Sequence, residues 1–328
     1  TDATPNTTLR DYIDQEERLF HELKEKVYDR VASTDDLKLC RYRTGGPQNP
    51  KPPLGNWNRT IELVPERIRG GALLLHGLTD SPYSLRRIGK ILHAKGFYVL
   101  GLRLPGHGTI PGALTKVQWE DWVAASRIGA RHVREQIGPN RPFLITGYSN
   151  GGALAVKYAL DALVDPDLPR PDRLLLFSPE IGISALAFMA NTHKLLSFLP
   201  YFEKSQWLDI IPEYDPFKYN SFPKNAAQQA YGITKTLQRQ IDETRAAGKF
   251  ADFPPVFTFL SWIDATVDTS ATIHRLYEQL QNKNSELVVF DVNRFHQLEP
   301  FIPAANDKPL KQLETRSDLP YRLTLITN

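Results

Sequence analysis

Short, unbroken apolar runs alternate with longer amphipathic stretches through the middle of this chain. Ala72-Leu73-Leu74-Leu75 and Leu174-Leu175-Leu176-Phe177 are the clearest runs. Unbroken apolarity is what a strand buried on both faces of a parallel sheet requires. Such runs predict strands at residues 60–64, 71–75, 98–102, 143–146, 173–177, 256–261 and 286–292. Between them, apolar residues recur at helical spacing and predict helices at 84–95, 117–137, 152–163 and 269–281. This alternation predicts an α/β fold, a mostly parallel central sheet flanked by helices.

The flanking segments follow other patterns. Residues 8–31 place Tyr12, Leu19, Phe20, Leu23 and Val27 at near-helical spacing, acidic early and basic late, and predict an amphipathic helix. Residues 44–58, rich in Gly, Pro and Asn, predict loop. From 183 to 253 the alternation stops, and the segment is aromatic-rich and helical in pieces. An insertion there, after the sixth strand, would form a lid over the carboxyl ends of the sheet, where open α/β folds bind ligands. Residues 321–326 are expected to add an edge strand. One domain is expected over residues 1–328, with an N-terminal helical extension (1–40), the lid or cap (183–253) and a C-terminal extension (303–328).

Composition narrows the function classes. The 328 residues are 41% hydrophobic and 23% charged, ordinary for a soluble globular chain able to bury a large core. A net charge of +3 with scattered basic residues argues against a nucleic-acid surface. The single cysteine, Cys40, can form neither an internal disulfide nor a Cys-based zinc site. No apolar run approaches membrane-span length. The chain starts at Thr1 rather than methionine, so removal of a leading segment is expected, by processing or by design; the compartment is left open, with a bacterial cell envelope or secreted location after N-terminal processing as one option. Oligomeric state is left open.

The candidate chemistry centres on Gly147-Tyr148-Ser149-Asn150-Gly151, which lies between the apolar run Phe143-Leu144-Ile145 and a predicted helix. Strand, Gly-x-Ser-x-Gly, helix is the pattern of a nucleophile elbow: a turn so tight that only glycine avoids flanking clashes, with the serine oxygen projecting from the sheet. Serine needs a neutral imidazole as base, an acid to orient it, and donors for an oxyanion. Where such a turn carries a triad, the order is Ser, acid, His. Only His193, His274 and His296 follow Ser149. His193 falls in the insertion and His274 on a helix surface, whereas His296 follows the run Leu287-Val288-Val289-Phe290 in a loop. His296 is therefore the expected base.

Two aspartates follow the preceding strand. Asp268 directly precedes a predicted helix and suits an N-cap. Asp264, nearer the strand end, is the expected catalytic acid. The oxyanion donors are expected to be the backbone N–H groups of Asn150, after the nucleophile, and of Leu78, in the loop His76-Gly77-Leu78-Thr79-Asp80-Ser81-Pro82 after the third strand. His76 is expected to orient that loop and His107 to bracket the turn Pro105-Gly106-His107-Gly108, with no metal site.

At these residues the chain resembles the α/β-hydrolase superfamily, and within it the serine hydrolases grouped with monoacylglycerol lipases and carboxylesterases. The resemblance spans about residues 60–300 and rests on His76–Pro82, Arg103-Leu104-Pro105-Gly106-His107-Gly108-Thr109, Gly147–Gly152, Asp264-Ala265-Thr266-Val267-Asp268 and His296. It implies an α/β-hydrolase fold and a cofactor-independent ester hydrolase with a lid and a Ser149-Asp264-His296 triad. The partner implied is a small-molecule acyl ester of short to medium chain, monoacylglycerol-like. Asn150 departs from the Met, Gln or Leu common at that position in relatives.

Two other readings share this fold. A serine peptidase or amidase would need carboxylates near the lid for a free N-terminus, and Glu203, Asp209, Glu213 and Asp215 are candidates. A non-catalytic binding protein would typically lack a triad member, and here all three are present. A dehalogenase or epoxide hydrolase would need a carboxylate in place of Ser149.

Overall fold

The computed structural model describes residues 7–32, 34, 37–50, 56–182, 206–262, 267–291, 313, 315, 316 and 318–327. In chain order its strands are β1 (Ile61–Leu63), β2 (Gly70–Leu75), β3 (Phe97–Leu102), β4 (Phe143–Tyr148), β5 (Arg173–Phe177), β6 (Trp207–Asp209), β7 (Phe222–Pro223), β8 (Val256–Ser261), β9 (Glu286–Asp291) and β10 (Arg322–Thr327). Eight of them form the central sheet in the order β1-β3-β2-β4-β5-β8-β9-β10. Only β1 runs antiparallel to its neighbour, β3; every other pairing in the sheet is parallel.

The apolar runs form strands because both faces of the sheet are covered. All six residues of β2 are buried. Leu73 and Leu75 join the larger core with Trp122, Ile128 and Val133 of α3 (Trp119–Ile137) and much of α4 (Asn150–Ala162). Ala72 and Leu74, pointing to the other face, join Leu85, Val99 and Leu92 of α2 (Arg86–Ala94). Successive strand residues face opposite ways, so this split is the pleat itself. The α/β-hydrolase fold expected from the sequence is the fold observed.

The N-terminal helix also forms, as α1 (Leu9–Leu23) followed by a π-helical turn over Lys24–Tyr28. A capping box starts it: the Thr8 hydroxyl accepts the Asp11 N–H at 3.2 Å, and the Asp11 carboxylate accepts the Thr8 N–H at 2.9 Å. The C-terminal edge strand is present too, β10 lying parallel to β9 from Arg322↔Glu286 to Thr327↔Asp291.

Three expectations change. Counted among the described strands, the insertion follows the fifth, β5, rather than the sixth, and the His76 loop follows the second rather than the third. The described part of the insertion is not purely helical either. It contains the antiparallel pair β6–β7 before the long helix α5 (Lys224–Ala246). Finally, 269–281 is not one regular helix. A single α turn at Thr269–Ala271 passes into a π turn (Thr272–Leu276) and a 3-10 turn (Tyr277–Gln279). The shift in spacing accompanies burial of Tyr277, whose hydroxyl reaches the Glu286 carbonyl at 2.8 Å.

Candidate active site

Ser149 sits between β4 and α4 with φ 52° and ψ −118°. A non-glycine residue there is strained, at a cost of order 1–3 kcal/mol, and persists only when its surroundings hold it. They do so here through backbone bonds. The Ser149 N–H donates to the Phe177 carbonyl at the end of β5 (3.0 Å), and the Ser149 carbonyl accepts from Gly152 (2.8 Å) and Glu180 (3.0 Å). The flanking glycines are needed for contact, not for torsion. A Cβ on Gly147 would lie 2.6 Å from the Gly152 Cα, and one on Gly151 would lie 2.6 Å from the His76 carbonyl oxygen, both closer than real Cβ atoms come. Ser149 keeps partial solvent access while Asn150 is fully buried, and among the described residues neither polar atom of the Asn150 side chain has a partner.

The second expected oxyanion donor lies in the loop after β2. His76 is completely buried. Its Nε2 accepts the Leu104 N–H at 3.0 Å, which leaves the proton on Nδ1 to donate to the Gly77 carbonyl at 2.9 Å. The ring is therefore neutral, and burial, then His107 nearby, holds its pKa well below the usual histidine value. Beyond Leu78 the chain turns at Thr79, with φ 65°, and the Thr79 carbonyl accepts the Tyr219 N–H at 2.9 Å. Tyr219 belongs to the described part of the insertion, which thus grips this loop directly. His107, also buried, bonds through Nδ1 to the Pro105 carbonyl at 3.0 Å, and burial lowers its pKa to about 4.

The other sequence candidates fall as follows. Asp264 and His296 lie outside the described residues, as do Glu203 and the insertion's apolar residues before Gln206. Asp268 is an N-cap, its Oδ1 accepting the Ala271 N–H at 3.0 Å. His274 lies on an exposed face and pairs with Glu278 at 3.1 Å. Glu213 accepts the N–H groups of Asn220 and Ser221, and Asp215 accepts those of Phe217 and Lys218. Those two carboxylates hold the loop between β6 and β7.

Against known proteins, the family model described as serine aminopeptidase, S33, matches residues 66–299, most of the chain and all of the elbow and its loops. The chain belongs to this family. In sequence, an 89-residue stretch is 33% identical to the thermostable monoacylglycerol lipase of Bacillus sp. (strain H-257). That match covers 27% of this chain and 34% of the relative, so the two align over only about a third of the lipase. In structure, the S33 chain is similar to a metagenome-derived lipolytic enzyme described with LipS and LipT. The TM-score is 0.58 at 20% identity, covering 79% of this chain and 98% of the other. The monoacylglycerol lipase of Paleococcus ferrophilus gives 0.51 at 18% identity, covering 77% and 98%. At these identities the likeness is one of fold.

Two acidic residues of this S33 chain escaped sequence reading. Glu180 follows β5, and its N–H holds the Ser149 carbonyl; burial alone raises its pKa to about 7. Asp80 lies in the His76 loop, its Oδ2 close enough to Gly77 to crowd a Cβ there at 3.0 Å. Burial raises its pKa to about 6, against the pull of Lys218 and with the help of Asp215. Nothing in the linear pattern marks the raised pKa of either, because it comes from burial, and for Asp80 also from Asp215, far along the chain.

Proposed function

We propose that this protein hydrolyses carboxylic esters through an acyl-serine intermediate on Ser149. The observation that carries the reading is the strained backbone of Ser149 at a strand-to-helix turn, a conformation kept at a cost in stability and one that lifts the hydroxyl clear of the sheet. Ser149 Oγ attacks the ester carbonyl while His296 takes its proton, and Asp264 holds the imidazole and stabilises its cation. The tetrahedral oxyanion accepts the backbone N–H groups of Leu78 and Asn150, the latter at the N-terminus of α4 where the helix dipole favours negative charge. Collapse expels the alcohol, protonated by His296, and water then releases the acid by the same steps in reverse. No cofactor is needed.

The substrate proposed is a short- to medium-chain acyl ester, monoacylglycerol-like. Support comes from the partial sequence match to a protein named a monoacylglycerol lipase. The family's description as serine aminopeptidase favours a peptidase as the second reading. Against it, Glu213 and Asp215, two of the carboxylates that could hold a substrate ammonium, are engaged with backbone N–H groups of their own loop.

The test uses p-nitrophenyl esters of graded length, aminoacyl p-nitroanilides and a fluorophosphonate probe. Ser149→Ala is expected to lower kcat by about 10³-fold or more and to abolish labelling while the fold persists. Each buried methylene of the acyl chain should add about 0.8 kcal/mol of transition-state binding until the pocket is full. Normal turnover by purified Ser149→Ala sinks the mechanism; a preference for aminoacyl amides with a free N-terminus promotes the peptidase.

A further inference from the structure

Glu16 is a buried charge far from the proposed chemistry in sequence but joined to it through hydrogen bonds to Arg103, the 103–104 peptide link, and hydrogen bonds of His76. It lies on α1, before the stretch shared with the S33 family, and only 3% of it is exposed. Its Oε2 accepts the Arg103 Nε–H at 2.7 Å and the Thr60 hydroxyl at 2.9 Å, and its Oε1 accepts the Thr60 N–H at 2.8 Å. Arg103, equally buried, spends a second donor on the His107 carbonyl at 3.0 Å. Its own carbonyl accepts the Tyr12 hydroxyl of α1 at 2.6 Å. Residue 103 is thus clamped on its side chain, its N–H (to Thr60 Oγ1, 3.2 Å) and its carbonyl.

The next residue is the one that matters. The Leu104 N–H is the donor that His76 Nε2 accepts. By occupying Nε2 it forces the His76 proton onto Nδ1, which then holds the Gly77 carbonyl. That carbonyl and the Leu78 N–H belong to one planar peptide unit and point in opposite directions. Fixing the Gly77 oxygen therefore fixes the direction of the Leu78 N–H.

We propose that Glu16 is a positioning residue for the oxyanion hole, acting through Arg103, Leu104 and His76 on the 77–78 peptide. This deepens the serine-hydrolase reading and rests on it. The N-terminal helix then has a catalytic consequence, because the charge that stabilises its docking also sets a tautomer and a peptide plane at the site.

The experiment compares purified full-length wild type, Glu16→Gln, Tyr12→Phe and Leu23→Ala. Leu23 anchors the far end of α1 in a separate apolar cluster with Phe20 and Tyr42, and its apolar side chain takes no part in these hydrogen bonds. Glu16→Gln should lower kcat on a p-nitrophenyl ester by about tenfold, less than outright loss of an oxyanion donor, with KM within about twofold. Its fluorophosphonate inactivation rate should fall in parallel, since that reaction also builds charge on an oxygen in the hole. Tyr12→Phe should do the same more mildly and serves if Glu16→Gln fails to fold. Leu23→Ala should lower the melting temperature yet keep wild-type kcat at 25 °C. Unchanged kcat and inactivation rate in folded Glu16→Gln, or an equal loss of kcat in Leu23→Ala, overturns the proposal. With Glu16→Gln unfolded, unchanged kcat in Tyr12→Phe does the same. A wild type inert to the probe, with Ser149→Ala still active, overturns the serine-hydrolase reading and this proposal with it.

Discussion

Gly151→Ala tests the elbow through a conflict between two magnitudes. Gly151 lies in the first turn of α4. On propensity alone, alanine there should stabilise the helix by about 1 kcal/mol. Packing says the opposite. The new Cβ would stand 2.6 Å from the His76 carbonyl oxygen and 2.5 Å from the Leu75 carbonyl carbon, with the Leu75 oxygen nearer still. These are main-chain atoms at the end of a central strand, paired on both sides with β3 and β4, so no side chain can swing away. Relief requires α4 and β2 to part by roughly 1 Å, and overpacking of this kind costs about 1–3 kcal/mol, at the upper end when backbone must move. The net expectation is a loss of about 2 kcal/mol and a melting temperature lower by roughly 3–6 °C. The same shift would separate Asn150 from the His76–Leu78 loop, and a displacement of about 1 Å at a reacting centre can lower kcat about 10²-fold. Scanning calorimetry, ester turnover and the fluorophosphonate labelling rate measure all three. Gly248→Ala is the control, because Gly248 has φ 66° and nothing within 4 Å of a Cβ, so only torsional strain is added there. A Gly151→Ala protein that melts at or above wild type and labels at the wild-type rate would refute the proposed geometry.

Other expectations are narrower. Asp268→Asn should leave both stability and kcat nearly unchanged because asparagine also caps, whereas Asp268→Ala should cost about 1 kcal/mol; Asp264→Asn should lower kcat with little change in melting. The reverse pattern would exchange the two roles. Glu180 has a folded pKa of about 7, above its ordinary 4.5, so its neutral form is favoured. Its contribution to stability is full below pH 4.5 and is lost as pH rises through 7. Glu180→Gln should therefore gain roughly 2 kcal/mol over wild type at pH 8–9 and nothing at pH 4; parallel melting profiles against pH would remove burial as the cause.

The fold was legible along the chain because its strands are covered on both faces. β2 and β5 read as unbroken apolar runs, whereas β10, a half-exposed strand at the sheet edge, was expected at 321–326 as an addition outside that alternation. The elbow was legible for a local reason. The clash of Gly147 with Gly152 is set within a few residues, so the pentapeptide carries its own explanation. Asp268 announced itself as a cap by standing just before its helix. Local sterics and short-range periodicity are properties of neighbouring residues, and sequence alone determines them.

Tertiary structure decided what depends on distant groups meeting. Glu16 and Arg103 are 87 residues apart, and only the docking of α1 turns two ordinary charges into a buried pair. The tautomer of His76 depends on an N–H from the loop after β3, and the conformation at Thr79 on one from the insertion. Glu180 and Asp80 acquire raised pKa values because folding takes most of the water from around their carboxyl groups. The change from α to π to 3-10 turns over Thr269–Gln279 accompanies the burial of Tyr277 against Glu286 of β9. In each case the controlling quantity is desolvation or a long-range hydrogen bond, and neither is encoded by residues next to one another in the chain.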